Sequence, residues 1–233
     1  MGSRTGFQRL ACWLASLSML AAPVAQAGRT IDPVPDADTT AVILVATDIL
    51  IDPVYNHTVI VVRPAGNGMH VGVILNRPTG TSLASLFPSH EPSRNVKENV
   101  FFGGPMAQLA VAAVTRNEPS PLDGVLEFKP DLYLVLQAKT IDSIIETAPN
   151  TARYYMGNVI WKPGELDSEL EKGLWHVLPA SSDLVFRKNT ESLWSELDDN
   201  SRLLSAQADL PARRLLAVAL AQPAAALPAQ MPR

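Results

Sequence analysis

The sequence predicts an α+β fold, with mixed, mainly antiparallel sheets folded into a compact pseudo-barrel-like body with flanking helices. Short apolar runs rich in β-branched residues recur between glycines, prolines and asparagines, which is typical of strands joined by tight turns. Helical patterns occur between these runs in irregular order, which favours α+β over a doubly wound parallel sheet. With 47% hydrophobic and 18% charged residues, the composition is typical of one globular domain with additional ends.

Three strands are expected at the start of the folded region. The continuous apolar runs at residues 41–46, 58–62 and 71–75 indicate strands that are buried on both faces. The segment 64–68, Pro-Ala-Gly-Asn-Gly, contains the Asn-Gly chemistry of a hairpin turn. The second and third strands are therefore expected to pair antiparallel.

The rest of the chain predicts shorter elements around two turns. Pro163-Gly164 has the residues of a type II turn. Leu166, Leu170 and Leu174 follow at every fourth position, the spacing of one helix face. The other expected elements are strands at residues 100–102, 109–114, 132–136 and 183–187, and helices at 82–87, 141–147 and 190–197.

The N-terminal residues predict a secretory signal peptide. Arg4 and Arg9 form a basic leader, residues 10–24 are an apolar run, and Ala25-Gln26-Ala27 is a small-residue cleavage motif. Cleavage after Ala27 would place the protein in the periplasm or the medium, with no stable membrane span. Two alternatives remain open: an uncleaved anchor helix, and a cytoplasmic protein whose start codon is wrongly assigned.

The chain is accordingly divided into four segments by composition. The predicted segments are a signal peptide (1–27), a linker (28–40), the folded domain (41–199) and an Ala/Pro-rich tail (200–233). The tail is expected to be partly helical or disordered, with an apolar helix possible at residues 210–221.

Charge and cysteine content exclude several classes of function. The net charge is −4, and the first 27 residues carry two arginines and no acid, so cleavage would leave −6. An acidic chain without a basic stripe is not expected to bind nucleic acid. The only cysteine, Cys12, lies in the predicted signal, so cleavage would leave no thiol for a nucleophile, a disulfide or a zinc site. The four histidines are isolated from one another, so no metal and no cofactor is predicted.

Three blocks of sequence carry a resemblance to a known family. They are Asn76-Arg77-Pro78, Gly103-Gly104-Pro105 and Trp161-Lys162-Pro163-Gly164-Glu165-Leu166. Their order and spacing resemble the YqgE/AlgH family of small bacterial proteins over residues 41–197. Matching residues outside the blocks are Asp52, Pro53, Tyr55, Val59, Gly72, Val100, Gly157, Glu169, Trp175, Phe186 and Trp194.

The resemblance implies a fold but no reaction, because none is established for the family. This sequence also departs from the family's pattern at polar positions. It has Glu165 where the family has Gln, Gly173 where it has Asn, and Asn158 and Ile160 where it has Tyr and Gly. Turn and core residues match while polar ones differ, which indicates a retained scaffold with an altered surface.

Candidate binding residues lie in the first two blocks. Asn76 could orient a ligand by hydrogen bonding and Arg77 could bind a carboxylate or phosphate. In the structural alternative, Asn76 caps the strand end and Arg77 pairs with an acid. Gly103 and Gly104 could present backbone N–H groups to an anion, or could simply allow a tight connection.

The third block adds Trp161 and Glu165. Trp161 could offer a stacking surface and Glu165 could act as an acid or base. The structural alternative is a turn and helix start held by a buried indole.

The function that the sequence favours is a non-enzymatic, exported module that binds a small ligand or a protein partner. The alternative is a hydrolase-type enzyme that uses Asp52, His57 or Glu165 near Arg77. A transcriptional regulator is disfavoured by the net acidity, the leader and the lack of a helix-turn-helix pattern.

Overall fold

A computed structural model describes residues 41–203. Within this range nine strands are found: β1 (Val42–Ala46), β2 (Val59–Pro64), β3 (His70–Ile74), β4 (Phe101–Phe102), β5 (Met106–Thr115), β6 (Val125–Lys129), β7 (Leu132–Val135), β8 (Ala152–Trp161) and β9 (Trp175–Pro179). They belong to one sheet with the order β6-β7-β5-β8-β3-β2-β1-β9, while β4 pairs with β8. All pairings are antiparallel except that of β4 with β8. The predicted α+β class with mainly antiparallel pairing is confirmed.

Short helices flank this sheet. They are α1 (Leu83–Leu86), a 3-10 helix (Glu91–Asn95), α2 (Ala138–Thr147), α3 (Glu165–Glu171), α4 (Ser182–Val185) and α5, which includes residues 193–203. Trp194, near the start of α5, donates its indole N–H to the carbonyl of Ala46 at 2.7 Å. This bond attaches α5 to the end of β1, and the helix runs on past residue 199. None of the helices in the described part is long and apolar enough to cross a membrane.

The three expected N-terminal strands are present as β1, β2 and β3. Val45 of β1 lies opposite Val59 of β2, and Pro64 of β2 lies opposite His70 of β3. Between β2 and β3 the backbone turns through Gly66, Asn67 and Gly68, which all have positive φ. The predicted antiparallel hairpin is therefore confirmed.

The continuous apolar runs in these strands are buried because both faces of the sheet are covered. In β2, Val59 and Val61 pack in one hydrophobic cluster and Ile60 and Val62 in another, on the opposite face. All four side chains are fully buried. At about 25 cal/mol per Å² of apolar surface removed from water, burial of this kind is the main stabilising contribution to the fold.

One expected strand is wrong, and three observed strands are not predicted. Residues 183–187 are not a strand, because Ser182–Val185 forms helix α4. An apolar run as short as Leu184-Val185-Phe186 has no periodicity that separates a strand from a helix. Strand β8 was missed because Arg153, Gly157 and Asn158 interrupt its apolar pattern, and β6 and β9 were also not predicted. The predicted segments 1–27 and 28–40 and most of the 200–233 tail lie outside the described residues.

Candidate functional site

Asn76 and Arg77 hold the loop between β1 and β2, which we call the 47–58 loop. The Asn76 Oδ1 accepts a hydrogen bond from the Val59 N–H at 2.9 Å, and its Nδ2 donates to the His57 carbonyl at 2.8 Å. The Arg77 Nη2 donates to the Asn56 carbonyl at 2.6 Å. No acid within residues 41–203 forms an ion pair with Arg77. Partial burial of the Arg77 guanidinium lowers its pKa from the usual value.

The 47–58 loop brings the half-buried Tyr55 against Trp175. The Asp52 carboxylate accepts hydrogen bonds from the N–H groups of Val54 at 2.8 Å and Tyr55 at 3.2 Å, which shapes an Asx turn. The Tyr55 ring then meets the Trp175 ring edge to face, with centroids 6.4 Å apart. The hydrogen bonds of Asp52 and Asn76 therefore help to position Tyr55.

Gly103 and Gly104 lie where two backbones cross closely. A Cβ on Gly103 would lie 2.3 Å from the Gly157 carbonyl oxygen, and one on Gly104 would lie 2.3 Å from that of Asn158. The Gly103 N–H donates to the Met156 carbonyl at 2.8 Å, so this amide is already engaged. The close approach of the two chains accounts for both glycines.

Trp161 and Glu165 border the turn that starts α3. Gly164 has φ 78° and ψ −9°, the values of the third residue of a type II turn. The Glu165 N–H donates to the Lys162 carbonyl at 3.0 Å, and the Glu165 carboxylate accepts from the Lys162 N–H at 2.8 Å. The Trp161 side chain is buried. The turn holds Trp161 and Glu165 on either side of the start of α3.

Glu169, on α3, joins two tryptophans. Its Oε2 accepts the indole N–H of Trp161 at 2.9 Å and that of Trp175 at 2.8 Å. The two rings are nearly perpendicular, with centroids 6.5 Å apart. Beside them is a cavity of about 120 Å³, which we call the aromatic pocket. Its lining consists of Leu50, Tyr55, Ile160, Trp161, Glu165, Glu169 and Trp175.

The aromatic pocket carries negative charge. Burial raises the pKa of the Tyr55 hydroxyl, and the carboxylates of Asp52, Glu169 and Glu165 raise it further. These three carboxylates are thus close enough to disfavour ionisation of the Tyr55 hydroxyl. Aromatic faces and carboxylates together offer a favourable environment for a cation.

The curl of the sheet creates this pocket. Trp161 is on β8 and Trp175 on β9, which are four strands apart in the sheet order. In a flat sheet this separation would be about 19 Å, since adjacent strands are about 4.8 Å apart. Their ring centroids lie 6.5 Å apart. Sequence reasoning placed Trp161 and Glu165 at a site but not Tyr55, Glu169 or Trp175, because no sequence spacing encodes this curvature.

The residues of the hydrolase alternative are distributed differently. Asp52 forms the Asx turn and Glu165 caps the turn before α3, while both influence Tyr55. The exposed His57 lies against the Trp194 ring, with centroids 3.9 Å apart and the ring planes inclined by 43°, and is not part of the pocket lining. Among the described residues no group of three His, Cys, Asp or Glu side chains is arranged to hold a metal.

The curled, mainly antiparallel sheet with its flanking helices defines a small α+β protein. A family model described as AlgH-like (DUF179) matches residues 43–201, and the chain belongs to this AlgH-like family. The predicted resemblance to the YqgE/AlgH family is confirmed.

The regions that match this chain span most of the length of its relatives. A UPF0301 protein of Chlorobaculum tepidum is 27% identical over 156 residues, which are 66% of this chain and 81% of that protein. A UPF0301 protein of Thermobifida fusca is 30% identical over 167 residues, or 68% and 84% of the two chains. These names assign no function.

Two solved structures share the fold. The solution structure of AlgH from Pseudomonas aeruginosa has a TM-score of 0.56 at 22% identity, over 82% of this chain and 97% of that one. The crystal structure of a protein from Corynebacterium diphtheriae has the same score and identity, over 68% and 85%. At this identity the likeness concerns the fold alone.

Proposed function

We propose that this protein is a non-enzymatic binding module that takes the ammonium group of a small ligand into the aromatic pocket. The observation that carries the proposal is the convergence of the Tyr55, Trp161 and Trp175 rings with the Glu165 and Glu169 carboxylates around one cavity. A cation over an aromatic face gains about 0.5–2 kcal/mol, more when water is excluded. The neighbouring carboxylates add attraction of the same sign.

The size of the pocket supports an ammonium head group rather than a whole large ligand. A volume of about 120 Å³ equals roughly four water molecules at ~30 Å³ each. This suits an ammonium nitrogen with its attached carbons, while the remainder of the ligand extends past the exposed Glu165 and Ile160.

The hydrogen bonds around the pocket support binding of a cation. The Glu169 Oε2 is engaged by two indole N–H groups, and the Glu165 Oε2 by the Lys162 N–H. The Asp52 carboxylate is engaged by two backbone N–H groups. These hydrogen bonds fix the orientation of each carboxylate, which suits a group that attracts a cation.

Titration with a charged ligand and its neutral isostere tests the proposal. We expect choline to quench or shift the tryptophan fluorescence saturably, because two tryptophans line the pocket. 3,3-Dimethylbutan-1-ol has the shape of choline without the charge, and we expect it to bind about tenfold more weakly. Butylammonium serves as the primary ammonium probe.

A matched pair of variants in α3 locates the site. Glu165→Gln removes a pocket charge but keeps an oxygen for the Lys162 N–H, and we expect choline affinity to fall about threefold or more. Glu171→Gln removes an exposed charge from the same helix outside the pocket lining, and should change affinity less than about twofold. Equal binding of choline and the alcohol, or binding of neither ammonium probe, would contradict the proposal.

We also propose that the protein is exported after cleavage behind Ala27. The support is the order of basic leader, apolar run and Ala-Gln-Ala motif in the sequence. Mass spectrometry of the protein from fractionated cells should find a chain that begins at Gly28 outside the cytoplasm. An intact N-terminus in the cytoplasmic fraction would refute export without affecting the pocket proposal.

A further inference from the structure

A larger cavity of about 730 Å³ lies where the end of β5 and the start of β8 meet the segments 96–98 and 186–188. We call it the basic cavity. Its ionisable lining residues are four cations and one carboxylate, a formal balance of +3, although the whole chain has a net charge of −4. These residues are Lys97, Arg116, Arg153, Lys188 and Glu98. Positive charge is therefore concentrated at one place on an acidic protein.

Arg153 and Glu98 neutralise each other at the base of this cavity. The Arg153 side chain is only 2% exposed, and its Nε and Nη2 donate to the two Glu98 carboxylate oxygens at 3.0 and 2.7 Å. Its Nη1 donates to the Val185 carbonyl at 2.7 Å. The guanidinium also lies over the Phe101 ring, 4.4 Å from its centroid. Because Glu98 is held in this bidentate pair, it does not compensate the other cations.

The three remaining cations are weakly compensated. Arg116 forms an ion pair with Asp183 at 3.4 Å, but the Asp183 side chain is 94% exposed, so water screens the pair strongly. Lys97 and Lys188 are exposed and form no ion pair with any residue in the 41–203 range. Their charges thus remain available to an anion that enters the cavity.

The cavity also has an apolar side. The Arg116 guanidinium lies 4.7 Å from the centroid of the Phe186 ring, which fixes the direction of the arginine. Val96 and Ala152 add further apolar surface. Ligand sites commonly have volumes of about 300–1,000 Å³ and combine apolar walls with a few polar groups, and the basic cavity has both properties.

We propose that the basic cavity binds a small organic polyanion with two or more phosphate or carboxylate charges. Lys97, Arg116 and Lys188 contact the negative charges, the Arg153–Glu98 pair forms a rigid base, and Phe186 contacts the carbon skeleton. This site is separate from the aromatic pocket, since the two linings share no residue. The proposal therefore does not depend on the proposed ammonium binding.

Calorimetric titration of the full chain with inorganic pyrophosphate and with citrate tests the proposal and separates the two anion chemistries. We expect at least one probe to bind saturably in about 50 mM NaCl and about tenfold more weakly in about 500 mM NaCl. Binding of pyrophosphate alone identifies a phosphate site, citrate alone a carboxylate site, and both a site that recognises charge. Each of these outcomes supports the inference.

Two double variants with the same change in net charge locate the binding. Lys97→Gln with Lys188→Gln removes two cations from the cavity, and we expect affinity to fall about tenfold. Lys139→Gln with Lys172→Gln removes two exposed cations elsewhere and should change it less than about twofold. All four side chains are exposed, so folding should be retained. No saturable binding of either probe, or equal losses in both doubles, would overturn the inference.

Discussion

Replacing Gly157 by alanine should destabilise the protein far more than the same change at Gly164. Both glycines have positive φ, 73° and 78°, which costs an alanine about 1–2 kcal/mol. At Gly157 the new Cβ would also lie 2.3 Å from the Gly104 oxygen and 2.7 Å from the Met106 oxygen. These are backbone atoms in the sheet, so the overlap should add about 1–3 kcal/mol. A Cβ at Gly164 would have no atom within 4 Å apart from those of its neighbours in the chain.

The expected loss of unfolding free energy is thus about 2–5 kcal/mol for Gly157→Ala and about 1–2 kcal/mol for Gly164→Ala. Urea denaturation followed by tryptophan fluorescence measures both losses. The control variant, Gly164→Ala, keeps the cost of positive φ but has no steric overlap. If Gly157→Ala costs no more than Gly164→Ala, the chains do not cross closely in solution. The account of Gly103 and Gly104 as close-approach glycines would then fail.

The other predictions concern buried polar groups. Asn76→Ala should cost about 1–3 kcal/mol of unfolding free energy in urea denaturation, because the buried Val59 N–H loses its acceptor; an unchanged midpoint would refute this. Tyr155→Phe should cost less than Tyr154→Phe, since the buried Tyr155 hydroxyl has the Arg153 guanidinium nearby but makes no hydrogen bond of good geometry, whereas Tyr154→Phe loses a 3.1 Å bond to the Pro149 carbonyl and should cost about 1 kcal/mol. Burial raises the pKa of both hydroxyls above the usual 10.0, so the folded state favours their neutral forms. The contribution of these two hydroxyls to the unfolding free energy should therefore be constant below about pH 10 and decrease above it, and the loss above pH 10 should be smaller in the double Tyr→Phe variant.

Local features of the fold could be predicted from sequence because they depend on neighbours in the chain. The β2–β3 hairpin follows from Gly66, Asn67 and Gly68, whose residue types tolerate positive φ. The turn before α3 follows from Pro163 and Gly164 in the same way. Burial on both faces of β2 follows from its unbroken apolar run.

Elements with mixed composition escaped prediction because their stability comes from distant contacts. Strand β8 contains a buried arginine, Arg153, whose charge is compensated in the tertiary structure by Glu98 and by hydrogen bonds to backbone carbonyls. Gly157 and Asn158 interrupt the same strand, and the crossing with Gly104 leaves no room for a Cβ at Gly157. Residues 183–187 are predicted as a strand but residues 182–185 form helix α4, because the apolar run is too short to show a period.

The candidate site also combines residues predicted from the local sequence with residues that only the tertiary structure brings together. Trp161 and Glu165 were predicted from their turn, but the aromatic pocket also needs Tyr55, Glu169 and Trp175. Asn76 and Arg77 are predicted either as ligand contacts or as structural residues, and the structure shows both bound to the backbone around the 47–58 loop, with no acid paired to Arg77 in the described range. Their influence on the pocket therefore passes through the position of Tyr55.

The amino-acid sequence by itself determined the turns, the doubly buried strands and the family, because these depend on backbone preferences and on hydrophobicity over a few neighbouring residues. The tertiary structure alone decided which side chains meet. Curling of the sheet brings Trp161 and Trp175, from strands far apart in the sheet order, onto one carboxylate oxygen of Glu169. Such contacts arise from the summed twist of many strands, a long-range property that no short stretch of residues contains.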